Sequence, residues 1–317
     1  MKQMGWHRSK GGLMVAGLVS ILVAGLAALP GVAATSTPLA LGPNSPPALA
    51  RTTSSARAEL PLGGRTIFPE HLLVAYYGTA GTGALGVLGE GTPDRVTKRL
   101  RQAAKPFNAS GRTVQIVYEL IVTIVDAHPG ADGDYNHDIA RADVERYIKA
   151  AHRNKALLVL DLQPGRSDFL TVAKRWRWAL RDPWVGLAID PEWRMAPGQI
   201  PARTIGQVRA GEINHVSKWL TKIAIARDHP QKIFMVHQFR KDMVINIDKV
   251  IRRRRLAMVQ HVDGFGTQSQ KLSTYHSVEQ SDQFQMGFKL FYDEDSGLMS
   301  PARVLEIRPR VRFVSYQ

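Results

Sequence analysis

Eight strand-like apolar runs recur through residues 67–317, and helical patterns separate them. The runs are His71–Tyr77, Val114–Val125, Ala156–Leu162, Val185–Ile189, Lys232–Phe239, Leu256–Val262, Phe284–Tyr292 and Val311–Tyr316. Runs as continuous as Ala156-Leu157-Leu158-Val159-Leu160 suit parallel strands covered on both faces. Between them, Val144, Tyr147, Ile148 and Ala151 keep the i, i+3, i+4, i+7 spacing of a helix, as do Ile213, Val216, Leu220 and Ile223. Thr92-Pro93-Asp94 and Ser300-Pro301 read as helix starts. Val244, Ile247 and Ile251 predict a helix after the fifth run, and Lys271 to Val278 a weaker one after the sixth. No helix follows the eighth run. These 251 residues fit an α/β fold of the (β/α)8 TIM-barrel type, its last helix missing. An open doubly wound sheet is the alternative. No G-x-G-x-x-G follows the first run, which counts against a dinucleotide fold.

Residues 1–34 read as a targeting segment. Lys2, Arg8 and Lys10 precede an apolar stretch from Leu13 to Leu29, and Val32-Ala33-Ala34 offers a small-residue cleavage site. The stretch is 17 residues long, so an uncleaved membrane anchor is the rival reading. Either way the expected location is secreted or associated with the cell envelope. Residues 35–66, rich in Pro, Ser, Thr, Ala and Gly, predict an extended or disordered linker. The chain has no cysteine, which excludes a thiol nucleophile and thiolate zinc sites.

A barrel of this type keeps its chemistry at the carboxyl ends of its strands. The candidates there are Tyr76, Tyr77, Asp126, Asp161, Asp190, Glu192, Trp193, His237, Gln238, His261, Asp263, Asp293 and Tyr316. Converging acids repel and raise one another's pKa, which a barrel built for stability alone would not need. Single acids also cap helices, as Asp94 and Asp168 are placed to do. The fourth strand, Val185-Gly186-Leu187-Ala188-Ile189-Asp190-Pro191-Glu192, puts Gly186, Ala188, Asp190 and Glu192 on one face, assigned to the interior. Two acids at i, i+2 suit general acid catalysis, one holding a proton on the other. Trp193 can stack on a sugar ring or pack beneath the following loop.

That segment resembles the fourth-strand signature D-G-x-D-x-D-x-E of family 18 glycoside hydrolases, the chitinase-like enzymes. Gly186, Asp190 and Glu192 match, while Val185 and Ala188 stand where the first two aspartates would. Tyr76-Tyr77 is similar to the aromatic end of the family's first strand. Met258-Val259-Gln260-His261 is similar to the sixth-strand M-x-Y-D, with tyrosine and aspartate replaced. The resemblance implies Glu192 as general acid and Asp190 as the residue orienting an N-acetyl group that acts as nucleophile.

Two metal readings stand beside it. Asp132, Asp134, Asn136, Asp138 and Asp143 echo a calcium loop, with His137 at the position of its glycine. His237 and His261 sit where amidohydrolase barrels place metal ligands, but the first strand has no H-x-H. Neither a metal nor any other cofactor is expected. The net charge is +15. Arg252 to Arg255 read as the end of the fifth helix, opposite the mouth, where they suit anionic cell-wall polymers or a membrane surface. No nucleic-acid motif occurs. The expected function is an exported glycoside-hydrolase-like protein acting on N-acetylated cell-wall or environmental glycans. The alternative is a catalytically silent barrel that binds carbohydrate or cell wall.

Overall fold

The computed structural model describes residues 57–317. Eight parallel strands form the wall: β1 His71–Gly78, β2 Thr113–Val125, β3 Leu157–Leu162, β4 Val185–Ile189, β5 Lys232–Gln238, β6 Leu256–Val262, β7 Gln285–Leu290 and β8 Val311–Tyr316. Neighbours in sequence pair in order, and β1 pairs with both β2 and β8, so the ring closes. The fold is a (β/α)8 barrel and not an open sheet. Its helices are α1 Pro93–Ala104, α2 Arg141–Asn154, α3 Phe169–Arg175, α4 Ala210–Ala226, α5 Gln268–Val278 and α6 Pro301–Glu306.

Period-two alternation divides the strands between two cores. Leu72, Val74, Tyr118, Leu158, Leu160, Leu187 and Val236 face outward and pack under the helices. Leu73, Ala75, Val117, Val159, Ala188, Met235, Val259 and Phe313 face inward and fill the lower barrel. Gly186 must be glycine, because a Cβ there would lie 2.6 Å from the carbonyl oxygen of Ile233. At Gly287 a Cβ would come within 3.2 Å of the His261 ring, so this glycine makes room for an inward imidazole.

Helix starts carry much of the local code. Thr92 accepts from Arg95 N and Ser300 from Arg303 N, with Pro93 and Pro301 in the first turns. A reciprocal capping box between Thr267 and Gln270 explains why α5 forms on a segment with so little amphipathic pattern.

Three expectations are corrected. The predicted helix through Val244, Ile247 and Ile251 is absent; two 3-10 turns, Lys241–Met243 and Ile247–Lys249, take its place. Asn246 adopts the left-handed conformation between them (φ 58°), and the Asn214 side chain bonds Lys249 O and Ile251 N from α4. Arg252 to Arg255 therefore lie in the turn entering β6, not at a helix end, although still opposite the mouth. Finally, residues 57–66 of the expected linker are packed: Leu60 is 4% exposed and joins Ile67 in plugging the barrel floor, while Arg65 bonds the carbonyls of Ala58 and Asp228. The targeting segment and the rest of the linker fall outside the described residues. Among the described residues, no helix is long and apolar enough to cross a membrane.

Candidate active site

Two residues beyond the last inward apolar residue or glycine of each strand, the next inward position is polar. Ala75 is followed by Tyr77, Val117 by Glu119, Val159 by Asp161 and Ala188 by Asp190. Met235 is followed by His237, Val259 by His261, Gly287 by Lys289 and Phe313 by Ser315. All eight strands thus deliver one polar group each to a single layer beneath the mouth, and all eight residues are buried. Burying such a layer is costly unless its charges and donors find partners.

His237 organises the pairing. Its Nδ1 hydrogen-bonds Asp263 Oδ2 at 3.0 Å. Its Nε2 lies 3.0 Å from Glu119 Oε1 and 3.8 Å from Asp161 Oδ1. The Glu119 contact is an ion pair without hydrogen-bond geometry, leaving both Glu119 oxygens without a hydrogen-bond donor. Tyr77 donates to Asp161 Oδ2 at 2.9 Å. Lys289 Nζ sits 3.3 Å from the centre of the Tyr77 ring, a cation–π contact. His261 stacks on His237 with ring centres 5.2 Å apart and bonds Ser315 through Nε2 at 3.0 Å.

These contacts set the protonation states. Burial alone would lower the pKa of His237, but Asp161, Asp263 and Glu119 outweigh it and hold the ring charged, well above its ordinary range. His261 goes the other way: burial, reinforced by the charge on His237, keeps it neutral. Burial also opposes ionisation of Asp263, but the His237 hydrogen bond prevails and keeps its pKa below the ordinary value. Asp161 is raised by burial and by Glu119. Asp190 is raised well above its range by burial, then by Glu192, Asp161 and Asp263. Asp161 is the direct register partner of Ala188 on the neighbouring strand.

Glu192 occupies the turn Pro191–Trp193 just past β4. Asp190 caps that turn by accepting from Glu192 N at 3.2 Å. Gly206 N donates to Glu192 O at 2.6 Å, and a Cβ at Gly206 would strike the Pro191 carbonyl, so the following loop clamps the turn from above. The Glu192 side chain stays half-buried. Burial, aided by the negative charge of Asp263, pushes its pKa up to about 7. Trp193 is also half-buried, beside it. The mouth therefore pairs a carboxyl that keeps its proton near neutrality with a carboxylate held ionised by an imidazolium. A separation of this sort marks acid and base roles in catalytic sites.

Not every expected residue joins the cluster. Tyr77, Asp161, Asp190, Glu192, His237, His261 and Asp263 do. Tyr76 and Tyr316 face outward, where they form an aromatic group with Tyr292; their ring centres are 6.3 Å apart. Gln238 also points outward and accepts from Gln260 Nε2 at 2.7 Å under α5. Asp293 stands exposed in the turn after β7; Asp295 is the buried acid there, 3.0 Å from Lys271. Asp126 pairs with His137 on the surface. Glu119, Lys289 and Ser315 are members the sequence reading missed. Their signal was a lone polar residue inside an apolar run, as in Ile116-Val117-Tyr118-Glu119-Leu120-Ile121.

The acidic loop after β2 has a cation of its own. Arg175 from α3 reaches Asn136 Oδ1 at 2.9 Å, Asp138 Oδ1 at 3.3 Å and Asp134 Oδ2 at 3.4 Å. Its guanidinium stands where a calcium loop would place its ion, and Asp143 turns away to Arg146. Among the described residues, no group of three or more His, Asp or Glu side chains is disposed to hold a metal ion.

No protein-family model and no curated protein matches the sequence. Among solved structures, the chain is similar to the dihydrodipicolinate synthase from Bacillus clausii. Identity is 12%, over 77% of this chain and 67% of that one, with a TM-score of 0.30. A likeness at that level carries no argument about chemistry, and the fold rests on the strand pairing itself.

Proposed function

We propose that the chain is an exported, glycoside-hydrolase-like acid catalyst acting on N-acetylated cell-wall or environmental glycans. The observation that carries this reading is Glu192: a half-buried carboxyl at the mouth whose pKa of about 7 keeps a proton ready for a leaving oxygen. Glu192 is the general acid. Asp263, ionised by His237, is the anion available to the positive charge that develops on the sugar ring. Asp190 holds the Glu192 turn in place, and with Glu192 and Gly186 it carries the likeness to family 18 glycoside hydrolases. Trp193 offers a ring to the sugar face. Export rests on the targeting pattern of residues 1–34.

A second reading, the silent carbohydrate-binding barrel, draws support from one observation. Glu119, Asp161 and His237 are 0% exposed, so much of the polar layer lies out of reach of a ligand. The two readings separate on incubation with N-acetylglucosamine oligomers and solubilised peptidoglycan strands, products being followed by mass spectrometry. Cleavage supports the catalyst, binding without cleavage supports the silent barrel, and the absence of both cleavage and binding rejects both.

The acid must be protonated to act, so the rate should fall as pH rises through about 7. Asp263→Asn removes a negative neighbour that raises Glu192. The alkaline limb of the pH–rate profile should then move to lower pH, alongside a drop in rate. An unmoved limb would contradict the coupling.

A further inference from the structure

The end of the barrel opposite the mouth is basic and partly apolar. Arg177 and Arg181, in the segment leading to β4, and Lys222 and Arg227, at the end of α4, line one groove of about 910 Å³ with Trp219 and Ile223. All four cations are exposed. Among the described residues, none of the four forms an ion pair. The acids next to them in sequence are already taken: Asp228 by Arg57, Arg65 and Arg255, and Asp182 by His152. His229, in the same groove, has its pKa pushed down to about 4 by burial, with Lys232 and Arg227 adding to the effect. Arg252 and Arg254 stand exposed in the turn before β6 at the same end.

Apolar side chains share this face. Leu62 is 45% exposed and Ile225 57%. The mouth loops carry exposed acids, among them Asp132, Asp293 and Glu294, together with the exposed cations Arg203, Arg240 and Lys241. The chain also enters at the floor: Ala58 lines the groove. In sequence, 56 residues precede Arg57, among them the 17-residue apolar stretch Leu13 to Leu29.

We propose that this floor docks on the anionic phosphate headgroups of a lipid bilayer, with the mouth turned away from it. Unpaired cations meet the phosphates, and Leu62 and Ile225 enter the headgroup boundary. A soluble polyanion would use the cations but leave the two aliphatic side chains in water. An apolar stretch upstream of the same face favours the bilayer over a free polymer. Docking holds whatever the mouth acts on, so it does not rest on the glycan reading.

The absence of cysteine makes the test direct, since a fluorophore can be placed at one engineered thiol. Full-length chains labelled at Ile225→Cys or Glu294→Cys are reconstituted with vesicles of phosphatidylcholine or of an equimolar mixture with phosphatidylglycerol. On the mixed vesicles, the Ile225→Cys label should shift to the blue and resist an aqueous quencher, while the Glu294→Cys label should stay accessible. Added salt should reverse the shift. A basic residue near an anionic surface is worth about fivefold in partitioning. Replacing Arg177, Arg181, Lys222 and Arg227 together by Gln should therefore weaken docking by roughly two to three orders of magnitude, with thermal melting unchanged. The proposal is overturned by an equal shift on pure phosphatidylcholine, by a shift that survives the fourfold replacement, or by protection with soluble polyphosphate but not with vesicles.

Discussion

Glu192→Gln should lower glycan cleavage by about 10²–10⁴ at slightly acidic pH while ligand binding survives. Glutamine keeps the size of the side chain and a hydrogen-bond donor but has no proton to give. A second signature distinguishes this loss from damage to the fold. The Glu192 pKa rises from 4.5 to about 7 on folding, so its contribution to stability is fully present below 4.5 and lost as pH rises through 7. Glutamine escapes that loss. The variant should match the unmutated chain in acid and exceed it by up to about 3 kcal/mol in mild alkali. A variant that is both inactive and less stable at every pH would mean that Glu192 is a structural residue.

Removing the central cation should have the largest effect on stability. His237→Leu leaves Glu119 and Asp263 buried with no positive charge between them, and unpairing a buried ion costs about 3–5 kcal/mol. The folded pKa of His237 is raised above 6.5, so while its carboxylate partners stay charged its stabilisation is fully present below 6.5, and it is lost as pH rises through the higher folded value. The gap between the two chains, measured by denaturant titration, should be wide at neutral pH. It should narrow in strong acid, where protonated carboxyls need no partner. A loss below about 1 kcal/mol at neutral pH would show that Glu119, Asp161 and Asp263 are neutralised by other means.

The wall of the barrel was readable because each strand is buried on both faces and so appears as an unbroken apolar run. The inward face of β4 was readable for a different reason: Gly186 and Ala188 are too small for an outer wall, and the alternation from them leads to Asp190. Where the wall ends was harder to see. β2 continues six residues beyond Glu119, because a short strand, Asn136–Asp138, pairs with its tip. Reading the end of the run therefore gave Asp126 and passed over Glu119. Tyr76 and Tyr77 end one strand on opposite faces, and only the register beside Glu119 assigns Tyr77 to the interior. The cation of the acidic loop was out of view because Arg175 lies 37 residues from Asp138 in sequence. The missing fifth helix turned on the left-handed Asn246, which apolar spacing does not reveal.

The most direct test of the account is the titration of Glu192 itself. Carbon-13 NMR of the chain labelled at its glutamate carboxyls, with Glu192→Gln to assign the signal, reads the midpoint without any substrate. The expected result is a carboxyl that titrates near 7 and disappears in the variant. A Glu192 signal titrating near 4.5, the ordinary value, would leave the barrel mouth without its proton donor and contradict the central claim.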